Sequence, residues 1–454
     1  MNESGTLDMT QGEPRRLLVR FAVPLMIGNA CQLLYTLADS AVVGQLIGLS
    51  AFSSVASAGN YYWMLVSIVL GLTQGFGTWI SQRFGAKDEP GFRRSVAMAA
   101  LLSLTIGLIF SLFGVIFTRQ MLQLLDTPAS TIDGAATYLH YLIGGMLITF
   151  SYNMMGSVLR AMGNSTAPLM AMILASALNI LLDIALVMLT PLGIAGVAIA
   201  TLIAQLAACA YCLLALINTG NLHLKKSDFK PHKPSIKGLL LLGGPAGFRN
   251  GVIAAGGLYI QYHINALDWL FVAGVAAPMK IFGMLEIVAA ALDGAVATFV
   301  AQNFGAKNML RVKQGVNSAR WMMLVSSIAI AIITALFGRQ IMGLLITGEP
   351  EQVAQVMQVA QNQLWCILIG LPVLNMLYLY RSALNGMGNA VIPMLSGFME
   401  LGARLLSVMV LPVFIGEWGI YMAQVLGWPA AALLLVPAYY VVYKKNVRAF
   451  AKGA

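Results

Sequence analysis

The sequence is short of charge. Only 10% of its 454 residues are Asp, Glu, Lys or Arg, where a soluble domain carries roughly 25%. Hydrophobic residues make up 59%, and mean hydropathy is +0.80. Most of the surface therefore needs an apolar medium around it, because a water-soluble chain of this length must still present a polar exterior. Catalytic signatures are missing too. No Walker-type G-x-x-x-x-G-K-[ST], H-E-x-x-H or G-x-S-x-G stands in a plausible setting, which leaves no catalytic residue, no ATPase engine and no metal or cofactor site to assign. The four cysteines, Cys31, Cys209, Cys212 and Cys366, lie in apolar runs without flanking His or Cys clusters. Cys209 and Cys212 have C-x-x-C spacing but no second pair and no βαβ context, so they read as small core hydrophobes. The first 14 residues carry Glu3, Asp8 and Glu13 and lack the basic start of a cleavable signal peptide, so the first helix is expected to stay.

What is present is length without charge, repeated. A spanning helix needs roughly 20 apolar residues, and twelve such segments can be counted, with cores at 21–43, 52–80, 95–118, 131–157, 164–189, 193–218, 238–264, 270–302, 321–338, 355–380, 387–412 and 418–443. The expected fold is an all-α integral membrane protein of twelve transmembrane helices. The long second and eighth segments must tilt or extend past the bilayer. Basic residues alternate with the spans: Arg15, Arg16, Arg20, Arg83, Lys87, Arg93, Arg94, Arg160, Lys307, Arg311, Arg320, Arg381 and Lys444 fall on one side, and only Arg119 and Arg339 on the other. Cytoplasmic loops collect Lys and Arg, so both termini are expected inside. The net charge of +10 then reports topology and attraction to anionic inner-leaflet lipid, not nucleic acid.

The longest polar stretch between spans carries Lys225, Lys226, Lys230, Lys233 and Lys237. It divides the chain into a cytoplasmic tail (1–14), an N-lobe (15–218), a basic linker (219–237), a C-lobe (238–443) and a second basic tail (444–454). The halves resemble each other. Thr78-Trp-Ile-Ser-Gln-Arg-Phe-Gly-Ala-Lys87 aligns with Thr298-Phe-Val-Ala-Gln-Asn-Phe-Gly-Ala-Lys307, and Leu159-Arg-Ala-Met-Gly-Asn164 with Leu384-Asn-Gly-Met-Gly-Asn389. This is an internal duplication. An even number of spans per half implies two lobes related by a pseudo-two-fold axis along the membrane normal, a known way of building secondary transporters.

Charges inside the bilayer are costly, so each is a functional candidate. The first half has Asp39 and Asp183. Tyr35 precedes Asp39 by four residues, as Asn179 precedes Asp183, so each pair shares a helical face. No Lys or Arg lies within the first half's spans to neutralise them. Two desolvated carboxylates without a cation suit proton exchange or binding of a monovalent cation, and the alternative is a structural hydrogen-bonded pair. Pro24 leaves a carbonyl unpaired in the first span, which makes it either a hinge or a static kink. The second half has Arg249, Lys280, Glu286, Asp293, Glu400 and Arg404. Glu400 and Arg404 are spaced for an ion pair, and Glu286 and Asp293 share a face. With signs balanced, a structural charge network stands beside proton relay or substrate contact. The 26 Met residues and aromatics such as Tyr62 and Trp365 suit either packing or an adaptable apolar cavity.

The order and spacing of Pro24, Tyr35 and Asp39, then Gln82-x-Phe-Gly-Ala86, Leu159-Arg-Ala-Met-Gly-Asn164 and Asn179-x-x-x-Asp183, resembles the MATE family of multidrug and toxin extrusion transporters. Gly244-Pro-Ala-Gly247, Gln302-Asn-Phe-Gly-Ala306 and Trp418-Gly-Ile420 agree in the second half. The resemblance covers nearly the whole chain. It implies two six-helix lobes in a V, alternating access, and export of organic cations driven by inward H+ or Na+ across a prokaryotic inner membrane. Asp39 matches the acid of the DinF-like prokaryotic branch, whose N-lobe polar cluster falls on Tyr35, Tyr138, Asn153, Asn179, Asp183 and Thr201. Arg249 stands where that family commonly has Gln, and the seventh and tenth spans hold no carboxylate, so the N-lobe acids are the coupling candidates. The expected function is antiport of cationic amphipathic drugs by a protein that works as a monomer. The alternative is a flippase or exporter of a lipid-linked or anionic metabolite, with Arg249, Lys280 and Arg404 as its contacts.

Overall fold

The computed structural model describes residues 6–220 and 222–452. The ends of both expected tails, 1–5 and 453–454, and Asn221 of the linker lie outside the described residues. Among the described residues all regular structure is helical, as backbone in hydrocarbon must be when no barrel closes around it. The first half contains α1 (Pro14–Val42), prolonged by a π-helical turn (Val43–Ile47), then α2 (Leu49–Gly85), α3 (Glu89–Leu124), α4 (Ile132–Gly144), α5 (Met146–Ala161), α6 (Thr166–Leu189) and α7 (Ile194–Asn218). The second half contains α8 (Lys233–Asn265), α9 (Trp269–Gly305), α10 (Met309–Gly343), α11 (Pro350–Gly386), α12 (Val391–Met409), α13 (Leu411–Ile415), α14 (Trp418–Tyr421) and α15 (Ala423–Lys452).

Among the described residues ten helices are long and apolar enough to cross a membrane, and α4 with α5, bent by 48° at their junction, make an eleventh. The twelfth span is α8. Its 33 residues suffice at 1.5 Å per residue, but Arg249, Asn250, Gln261, His263 and Asn265 dilute its hydropathy. The two segments expected to overreach do so: α2 and α9 have 37 residues each, about 55 Å against a hydrocarbon core of about 30 Å. The α4–α5 bend has a local cause. A Cβ on Gly145 would fall 2.1 Å from Leu202 Cδ2 of α7, so glycine there lets α7 crowd the break.

The chain forms two units, and they do not meet at the linker. One contains the chain up to Gln11 and Val23–Gly247, the other Gly12–Ala22 and everything from Phe248. The expected cut between 218 and 238 thus moves into two helices. In α8 the reason is packing of small residues. A Cβ on Gly71 of α2 would lie 2.5 Å from the Ala246 carbonyl oxygen, and one on Gly75 would lie 2.5 Å from Gly243 Cα. The first half of α8 is therefore locked backbone to backbone against α2, as close-packed membrane helices require. Pro24 in α1 and Pro245 in α8 each sit within one turn of the residue where their helix changes unit, and each removes a helical hydrogen bond there. The linker is anchored too: Asp228 is buried, accepts from the Lys225 amide at 2.9 Å and lies 3.6 Å from Arg93 Nε.

The duplication is visible atom by atom. Lys87 and Lys307 both take the left-handed region, at φ 55° and 58°. The next residue in each half caps the following helix, Asp88 accepting from the Gly91 amide and Asn308 from the Arg311 amide. Gly163 and Gly388 match at φ 85° and 81°, and Asn164 and Asn389 accept from the amides of Ala167 and Ile392.

Gly75→Val should force α8 from α2 and cost about 1–3 kcal/mol of stability, read as a lower melting temperature of the purified protein. Gly244→Ala, whose added methyl meets nothing within 4 Å, should leave it unchanged.

Candidate functional site

The polar groups of the first unit gather on α1, α2, α4, α5, α6 and α7. Asp183 on α6 is fully buried, and Asp39 on α1 lies close enough for the two carboxyls to act on each other. Asn179, one turn before Asp183, donates from Nδ2 toward Asp183 Oδ1 at 3.4 Å and toward Thr201 Oγ1 of α7 at 3.3 Å. Tyr35 and Tyr138 both lie in the field of the two acids and of Tyr62. Asn153 reaches back along α5 to the Thr149 carbonyl at 2.8 Å, and the Thr149 hydroxyl donates to Gln205 Oε1 at 2.6 Å. Six of the seven expected first-unit residues, Tyr35, Asp39, Tyr138, Asn179, Asp183 and Thr201, are therefore linked by contact or by charge, and Asn153 bonds within α5. Thr149, Gln205 and Tyr62 are additional members. They are uncharged, and nothing in their spacing marks them out.

The electrostatics of this cluster are incomplete. Asp39 Oδ1, Asp183 Oδ2 and Asn179 Oδ1 are buried without a hydrogen-bond partner. Among the described residues no ion pair includes either acid. Two carboxylates facing each other in low dielectric repel strongly, and the arrangement is relieved by a proton shared between them or a small cation seated on the three orphaned oxygens. The π-turn that ends α1 belongs to a helix type often found at functional sites. Pro24 lies 15 residues before Asp39 on the same helix, which links any change at the acids to the kink.

In the second unit the expected charges also assemble, with one addition and one loss. Arg404 Nη2 donates to Glu400 Oε1 at 2.5 Å, one turn along α12, and Arg381 Nη2 of α11 donates to Glu400 Oε2 at 2.9 Å. On α9, Glu286 accepts from the Tyr378 hydroxyl and Asp293 from the Ser382 hydroxyl, both on α11. Arg249 on α8 lies in the field of Arg381, Asp293 and Glu400. Arg381 is the addition. Expected in a cytoplasmic loop, it is buried because α11 runs on to Gly386, as the repeat register with Leu159 implies. Lys280 is the loss. It is exposed and lines a separate cavity of about 300 Å³ with Trp269, Thr347 and Gln352. Six residues separate it from Glu286, which at 100° per residue puts it well off the face that Glu286 and Asp293 share.

The MatE family profile matches residues 24–185 and 245–411, well over half of the chain. The chain is a MatE family transporter. Probable multidrug resistance protein YpnP of Bacillus subtilis (strain 168) is 31% identical over 350 residues, covering 76% of this chain and 78% of that protein. The FAD transporter of Shewanella oneidensis is 24% identical over 436 residues, covering 94% of each. A crystal structure of MATE in the bent conformation superposes with a TM-score of 0.89 at 20% identity, covering 99% of this chain and 100% of that one; at that identity the likeness is one of fold. The two MatE blocks begin on Pro24 and Pro245. They contain every site residue named above except Thr201 and Gln205.

Glu400 is the one carboxylate that ion-pairs with both Arg381 and Arg404. Removing its charge by Glu400→Gln leaves two buried cations without it, so stability should fall by about 3–5 kcal/mol, measured by thermal unfolding in detergent. Lys280→Gln, outside the network, should shift it by less than about 0.5 kcal/mol.

Proposed function

We propose that this protein is a secondary active exporter of cationic amphipathic compounds, driven by inward movement of protons, with Asp39 and Asp183 as the coupling site. The observation that carries the reading is the pairing of buried Asp183 with half-buried Asp39, each with one buried oxygen that has no hydrogen-bond partner. A protein gains nothing in stability from such a pair; it needs a partner that comes and goes. With one proton shared, the pair carries one negative charge in place of two, the repulsion across α1 and α6 is relieved, and Tyr35, Asn179 and Tyr138 surround it with uncharged polar groups. With the proton gone, two charges remain, and an organic cation is the natural ligand to neutralise them. Proton and substrate then favour opposite arrangements of the units, which is the differential affinity that coupling demands. A pH difference of one unit supplies about 1.4 kcal/mol per proton. Pro24 and Pro245 are the points at which α1 and α8 would flex during alternating access. The likeness to YpnP, a probable multidrug resistance protein, supports a drug-like substrate, and the one-sided distribution of basic loops supports cytoplasmic termini in a bacterial membrane.

A second reading, export of an anionic metabolite, is favoured by the arginines of the second unit and by the FAD transporter among the relatives. Proteoliposomes with pH and Na+ gradients imposed separately test the first. A fluorescent cation should accumulate against its gradient in response to the pH gradient alone. Asp39→Asn, with melting temperature retained, should reduce proton-driven transport to the empty-liposome rate. Response to Na+ alone would overturn the proton reading, and normal transport by Asp39→Asn would overturn the coupling site.

A further inference from the structure

The arginines of the second unit hold more donors than the protein can use. Arg249 is 5% exposed, Arg381 7% and Arg404 8%. In each, one nitrogen is buried without a hydrogen-bond partner: Nη1 of Arg249 and Nε of Arg381 and Arg404. Arg249 is the extreme case. Its Nε and Nη2 both donate to a neutral acceptor, Oδ1 of the adjacent Asn250, at 3.2 and 2.9 Å. No ion pair among the described residues includes it. The carboxylates whose charge reaches it are engaged: Glu400 has one oxygen on Arg404 and the other on Arg381, and Asp293 accepts from Ser382.

Space has been made for these side chains. A Cβ on Gly397 of α12 would lie 2.7 Å from Arg249 Cγ, and a Cβ on Gly427 of α15 would lie 3.0 Å from Arg404 Cγ, Arg404 Nε and Glu400 Cγ. The cradle therefore depends on two glycines that admit long cationic stems into the helix bundle. A network built only for rigidity would satisfy its donors, since a buried unmet donor on a charged group loses its hydration without compensation. Glu286, Asp293 and Glu400 balance the three guanidiniums in number, but the ion pairs of Glu400 go to Arg381 and Arg404, and Arg249 is left with an unmet donor.

We propose that Arg249, flanked by Arg381 and Arg404, is the binding point for an anionic group of the transported molecule, a carboxylate or phosphate held through the unpartnered Nη1. A guanidinium binds either oxyanion through two parallel N–H donors. The inference rests on the export reading and narrows it: among cationic amphiphiles, the preferred ones also carry an anionic group.

The test uses the full chain in phosphatidylcholine nanodiscs and two xanthene dyes, one with a free carboxylate and the other its ethyl ester. Wild type should bind the carboxylate dye about tenfold more tightly, the weight of one charge-assisted hydrogen bond. Arg249→Met should bring the affinity ratio to about one, and Arg249→Lys, which keeps the charge, should retain part of it. The ratio does not depend on the fraction of folded protein, so a purely structural role would not move it. Equal binding or no binding of the two dyes by wild type, or a preference that survives in Arg249→Met, overturns the proposal. Nanodiscs containing phosphatidylglycerol separate the sources of the anion: a preference abolished by that lipid assigns the arginines to a headgroup phosphate and overturns transport of the anion, and a preserved one supports it. Absence of proton-driven dye uptake with the preference intact counts against the export reading alone.

Discussion

A charge taken out of water must find a partner, and most of what distinguishes this molecule follows from that constraint. The penalty is several kcal/mol per ion even after the protein relaxes. Helices answer it for the backbone, and that is why twelve long spans account for nearly all of the chain. Side chains have no such automatic answer. The few that remain charged inside the spans have to be satisfied by one another, by protons or by ligands, and the two units settle the matter differently.

In the first unit two acids lie together with Asn179, Tyr35 and Tyr138 around them, and among the described residues neither acid is in an ion pair. In the second, Glu400 is clamped between Arg381 and Arg404, Glu286 and Asp293 take hydroxyl donors from α11, and Arg249 is left over. Both units grew from one ancestral repeat, since Lys87 and Lys307, Asp88 and Asn308, and Gly163 and Gly388 still hold matching backbone geometry at matching turns. The turns have kept their shape while the spans have exchanged their charges. Arg249 now falls opposite Gly28, and Arg404 opposite Asn179. The result is a deficit of positive charge in one unit and a surplus of unmet donors in the other, which suits a carrier that must recognise an ion and a substrate with separate groups.

Much of this was legible in the sequence because it is governed by short-range rules. Apolar run length gave the spans, and four-residue spacing put Tyr35 with Asp39, Asn179 with Asp183 and Glu400 with Arg404. What could not be read depended on where helices end and which faces meet. Arg381 looked like a loop residue because charge usually marks the end of a span, yet α11 continues past it. Lys280 looked like a network member because it lies in a span, yet its helical phase turns it away from Glu286. Thr149, Gln205 and Tyr62 carry no charge to betray them, and only the α4–α5 bend at Gly145 explains how α5 presents Thr149 to α7. The change of unit within α1 and α8 was hidden for a related reason: glycine packing of Gly71 and Gly75 against α8 is a tertiary fact, although the glycines and the two prolines stand in plain view.

The central claim is that Asp39 and Asp183 share a proton that leaves during turnover. Infrared difference spectroscopy of the purified protein, alkaline minus acidic, tests it most directly. The account predicts loss of a protonated-carboxyl band on going to alkaline pH, and absence of that band from both Asp39→Asn and Asp183→Asn. A wild-type spectrum without the band, or a band that persists in both variants, would contradict it.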